Sequence, residues 1–142
     1  MHAARMSLSI RSYDGLDRVH AHDFHQIVLP VIGAMRSRVG AATGAIADRS
    51  GAMIVSGTPH EGYVLGENRF VVFEVPRRSF LPESVVARAA EAPFFPIEEP
   101  LDHLARYVSS EIASGALGEG LTRHASALMA DSIGRTYVSP AR

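Results

Sequence analysis

The chain has 142 residues, 46% of them hydrophobic and 20% charged, with no cysteine and a formal net charge of −1. It is long enough for one packed domain and too apolar for disorder. The composition excludes a disulfide framework or thiolate metal site and offers no electrostatic ground for binding nucleic acid or a membrane surface. The longest apolar run, 27–35, is nine residues with a proline and a glycine inside it, against about 20 for a membrane helix. Residues 1–6 lead into no signal-like apolar core. The expectation is a soluble, cytoplasmic protein with no membrane contact.

In chain order, residues 7–13 alternate polar and apolar, the period of a half-buried strand, and Asp14-Gly15 signals a turn. Val19–His22 and Phe24–Ile32 follow, rich in β-branched residues, with Pro30 marking an edge or a bulge because it cannot donate to a ladder. Gly33 turns the chain. Met35–Val39 alternates again, Ala45–Ala47 is a short strand, and Asp48-Arg49-Ser50-Gly51 is a turn. Ala52–Val55, Tyr63–Leu65 and Arg69–Val75 complete about eight short strands, the last ended by Pro76. Short strands at close, regular spacing predict a sandwich or barrel, including the double-sheet jelly roll.

The composition then shifts. Residues 82–92 open on Pro82-Glu83-Ser84 as a short helix, and 93–100 are proline-punctuated and extended, with Phe94 and Phe95 as anchors on the barrel. Leu101, Leu104, Val108 and Ile112 form one helical stripe, closed by Gly115. Leu121, Ala125, Leu128 and Ser132 form a second, flanked by Ile133, and the short join predicts an antiparallel pair. The expected organisation is a barrel at 1–80, a proline-containing connector at 81–100, and a helical linker or dimerisation segment at 101–142.

Chemistry concentrates in His20, His22, His25, Gln26 and His60. Side chains alternate along a strand, so an unbroken extended run puts His20, His22 and Gln26 on one face and His25 on the other. His-x-His on a strand is a natural clamp, its Cα atoms about 6.5–7 Å apart. His60, beside the Ser56-Gly57-Thr58-Pro59 turn, would complete a set of three histidines and one glutamine for a divalent transition metal: zinc, nickel, iron or manganese. Met35, Val39, Phe70, Val72 and Phe73 are cavity-wall candidates that serve equally as ordinary core. A one-residue slip of register would invert every face.

Gly15-x4-His20-x-His22-x3-Gln26-x6-Gly33 resembles the first cupin motif, and Gly57-x2-His60 resembles the second. The resemblance spans about residues 7–76 and implies a mainly β fold, the cupin-type double-stranded β-helix or jelly-roll barrel, followed here by C-terminal α-helices. Three positions depart from the pattern. Gln26 stands where cupins usually have glutamate, so the ligand set is neutral and weaker. Ser56 replaces a proline. Asn68 lies eight residues past His60, where the motif wants an asparagine at the position of Val64.

Residues 22–30, the Gly57-x-Pro59-His60 turn and the strand opening Asn68-Arg69-Phe70-Val71-Val72 are similar to the sensor barrel of AraC-type transcription regulators. That resemblance implies a small-molecule effector, a homodimer through the C-terminal helices, and DNA contact only through a helix-turn-helix domain absent from this chain. An alternative is a stand-alone metal-dependent cupin enzyme of dioxygenase, isomerase or decarboxylase type, with His25 or Glu61 as acid–base groups, though Glu61 points away from His60 if that segment is extended. A third reading leaves the histidines metal-free, holding a sugar or carboxylate or one another. Near neutral pH such a bare cluster would be partly protonated and self-repelling.

Overall fold

The structure, a computed structural model, describes residues 5–138. In order these form β1 (Ser7–Arg11), β2 (Leu16–His20), β3 (Phe24–Ile32), β4 (Ala34–Val39), β5 (Ala42–Ala47), β6 (Ser50–Ile54), β7 (His60–Val64) and β8 (Arg69–Pro76). Then come α1 (Glu83–Glu91), β9 (Phe94–Pro96), α2 (Glu99–Ala113) and α3 (Glu119–Val138). The expected segments 1–80 and 101–142 each run into residues outside the described range.

The strand order resolves into two antiparallel layers. One runs β1-β8-β3-β6 and the other β2-β7-β4-β5; they join through the β5–β6 hairpin, where Ala47 pairs with Ser50. This nested pairing, with β8 returning beside β3 and β7 beside β4, is a jelly roll. The fold is mainly β, a jelly-roll barrel followed by C-terminal helices.

Two cores follow from the alternation of side chains. Val28, Met35, Ile46, Ile54, Phe70 and Val72 meet between the layers. Ile27, Leu29, Val71, Phe73 and Val75 face outward from the first layer and share a second core with Leu101, Val108, Met129 and Ile133 of the helices. Strand β3 is buried from His25 to Pro30 because the barrel covers one face and the helices the other. That double cover explains its nearly unbroken apolar sequence. Phe73, a cavity-wall candidate in the sequence, therefore lies under the helices, whereas Met35, Val39, Phe70 and Val72 face inward.

The connector divides its aromatics between the cores. Strand β9 adds to β6, Phe94 packs on the inter-layer cluster and Phe95 on the helical one. Pro30 sits at a register shift between β3 and β8, beyond the Gln26–Val28 stretch that pairs with β6, so the ladder loses nothing to the missing donor. Gly33 has φ +76°, and a Cβ there would strike the Glu67 carbonyl.

Two sequence expectations need correction. The strand expected over Val19–His22 stops at His20, and Ala21–Asp23 carry the chain from one layer to the other. In α3 the inward residues are Ala125, Met129, Ile133 and Tyr137, while Leu128 is 59% exposed. An i, i+4 series wins over the expected Leu121–Ala125–Leu128–Ser132 stripe because α3 lies against both α1 and α2.

Candidate metal centre

Three histidines from two segments converge at one mouth of the barrel. His20 ends β2, opposite His60 at the start of β7. Between Asp17 and His20 the register slips, so three residues of β2 span what two of β7 cover. This bulge turns both Asp17 and His20 inward although their parities differ. His22 lies just beyond, in the crossing between layers.

The ring centroids stand 4.2 Å apart for His20 and His60, 4.7 Å for His20 and His22, and 5.2 Å for His22 and His60. One ring nitrogen from each lies within 4.8 Å of the others. The tautomers are fixed from behind. The Nδ1 of His20 lies 2.6 Å from the Arg18 carbonyl and that of His60 3.0 Å from the Thr58 carbonyl. Carbonyls only accept, so each Nδ1 carries a proton, and in the neutral ring the lone pair is on Nε2. The Nε2 of His60 is buried without a hydrogen-bond partner among the described residues. A buried acceptor left bare is costly, and imidazoles oriented by backbone carbonyls are the usual surroundings of a metal ligand. His22 stacks on Phe24 at 4.6 Å and 12°.

Burial pushes the pKa of His22 below the ordinary imidazole value, and the neighbouring His20 lowers it further. Burial also lowers that of His60, with His20 and His22 adding to the effect against the opposing Thr58 hydrogen bond. The neutral imidazole is the form that binds metal. The donor set thus fits a divalent transition metal, whose identity nothing here selects.

Gln26 comes from the opposite layer and lines the same cavity of about 100 Å³. The shared facing of His20, His22 and Gln26 arises because the chain crosses between layers, not because it stays extended.

His25 is different. It is 2% exposed on the helical face of β3, where its Nδ1 accepts from the Ser56 N–H at 3.0 Å and its ring also bonds the Arg77 carbonyl. Burial lowers its pKa. With the Gly57 N–H donating to the His22 carbonyl at 2.6 Å, His25 pins the turn that delivers His60. It is no acid–base group of the cavity. Glu61 borders the same cavity, and its carboxylate pairs with Arg38 at 3.6 Å. Sequence reading missed Arg11, Tyr13 and Asp17, which line the cavity. Alternation in β1 was visible, but which of its faces closes the barrel depends on β8.

No family model and no curated protein matches this chain. Several solved structures are similar in part. KdgF from Halomonas sp. is 20% identical with a TM-score of 0.48, over 55% of this chain and 76% of that one. A cupin-2 domain containing protein from Shewanella frigidimarina is 13% identical with a TM-score of 0.46, over 53% and 74%. EutQ from Clostridium difficile is 12% identical with a TM-score of 0.46, over 52% and 59%. The jelly-roll assignment stands on the strand order itself, and the candidate centre on its own geometry: three convergent imidazoles, two of them oriented by backbone carbonyls, at the mouth of the barrel.

Proposed function

We propose that this chain is a metal-binding, small-molecule-sensing cupin domain of the kind found in AraC-type regulators. In this reading it works as a homodimer through its helices, and DNA contact belongs to a domain outside residues 1–142. The observation that carries the reading is the two-faced strand β3. Gln26 and Val28 border the cavity, while Ile27 and Leu29 belong to the core shared with α2 and α3. A ligand that shifts β3 therefore changes the packing of the helices, provided it binds one arrangement better than the other. The three imidazoles would hold the metal, which supplies a Lewis-acidic anchor for an oxygen ligand.

Amide exchange on metal-free and zinc-loaded protein tests this. The sensor reading expects slowed exchange at β2–β3 and a change in α2 or α3. A response confined to the barrel mouth counts against it. Tyr13 and Asp17 give the cavity two protonatable groups, the one observation favouring a metal-dependent enzyme. Turnover of a small sugar or aromatic substrate, lost in His22→Ala, would establish that alternative.

A further inference from the structure

The cavity is small, and its charges are unevenly placed. At about 100 Å³ it matches the liquid volume of roughly three waters, at about 30 Å³ each, well below a drug-sized pocket. Its histidines and Gln26 are neutral donors, so a divalent ion among them keeps its full charge. Arg11 lines the same cavity. Its Nη2 donates to Glu74 at 2.5 Å and its Nε to Ser9 at 3.1 Å, and the Tyr13 hydroxyl lies against the same guanidinium. Glu74 reaches in from β8, where it pairs with Gln26 across the ladder.

The named partners occupy at most three of the five guanidinium donors, so the planar fork still has donors to offer. Glu74 cancels the charge of Arg11 and also holds it in place. Glu61 also borders the cavity, but its carboxylate lies 3.6 Å from Arg38; with that pair set aside, Asp17 is left to oppose a divalent ion, so the occupied cavity carries net positive charge. Partly buried positive charge with forked donors selects a planar anion.

Resting on the metal reading above, we propose that the ligand is a small carboxylic acid of about malonate's size, one end among the three imidazoles and a carboxylate on Arg11. Neutral sugars and amides of the same size lack the charge the cavity selects. Larger aromatic acids exceed its volume.

The test begins by measuring the metal content of the full chain. Malonate and its neutral isostere malonamide are then titrated calorimetrically into zinc-loaded protein. A charge-assisted pair lost from a partly buried site is worth about tenfold in affinity, so malonate should bind about tenfold tighter. The double variant Arg11→Gln, Glu74→Gln leaves no unpaired charge behind. It should keep wild-type zinc content and lose the preference for malonate. Equal affinities for the two compounds, or an unchanged preference in the double variant, overturn the carboxylate assignment while the metal reading stands. Absence of bound zinc in wild type overturns both. Phosphate binding as tightly as malonate, equally in wild type and double variant, marks a generic anion effect and also overturns the assignment.

Discussion

At the scale of single residues, burial decides function. His60 is 6% exposed with a bare Nε2, and removing its ring opens the donor set. His60→Ala should cut zinc content, read by elemental analysis, to the level of His22→Ala. Wild-type content in either variant would remove that histidine from the set. His22, His25 and His60 all have pKa values depressed in the folded protein. The unfolded chain therefore takes up protons first, from about pH 6.5 downward. Stability of the metal-free protein should be full above that value and fall with acidification until the folded-state pKa values are passed. A Tm flat between pH 7.5 and 5 would contradict the burial of these rings. Gln26 is 5% exposed beside Glu74 of the facing strand, and Gln26→Glu adds a charged oxygen donor that should tighten zinc binding.

At the scale of elements, the barrel holds its shape through a few non-repeating contacts. Asn68 is buried at the start of β8. Its Oδ1 accepts from the Tyr13 N–H at 2.8 Å, and its Nδ2 donates to the carbonyls of Tyr13 and Gly66 at 2.9 and 3.0 Å. These bonds tie the β1–β2 turn to the β7–β8 turn and so bring Arg11 and Tyr13 to the cavity. Asn68→Ala leaves buried backbone groups unpaired and should cost about 2 to 3 kcal/mol in denaturant unfolding. Phe95 is 2% exposed, with its ring 5.8 Å from that of Tyr137. Phe95→Ala should cost about 3 to 5 kcal/mol. A loss below 1 kcal/mol would show that β9 is not part of the fold's core. The Tyr137 hydroxyl donates to the Ala92 carbonyl at 2.6 Å, so α3 and the connector clamp each other, and burial drives that phenol's pKa far up.

At the scale of the molecule, one barrel layer is roofed by helices, and the other turns Arg36, Arg38 and Tyr63 to solvent. The helices themselves leave an apolar groove between α2 and α3, bordered by Leu104, Tyr107, Leu121 and Leu128. Tyr107 and Leu128 are 57% and 59% exposed, so replacing them removes little of the monomer's core. If this face is the dimer contact, Tyr107→Glu with Leu128→Glu should halve the mass measured by sedimentation without lowering Tm. Unchanged mass would leave the groove without a second copy on it.

Much was legible in the sequence because alternation and turn chemistry are local. Phe24–Ile32 was delimited to the residue by Asp23 and Gly33. The apolar stripe of α2 read in part: Leu101 and Val108 are buried, Leu104 and Ile112 only partly, and Ala105, outside the expected stripe, is buried between them. The histidine triad was readable as spacing plus resemblance, since His-x-His and a turn-borne His60 are short-range patterns. Three things waited for the tertiary structure. The bulge in β2 and the crossing at Ala21–Asp23 depend on which strand pairs with which. The inward face of α3 depends on two neighbouring helices. The places of Arg11, Glu74 and His25 depend on which side of a doubly covered layer becomes the barrel. Local periodicity tells which residues share a face; only closure of the two layers decides what that face looks upon.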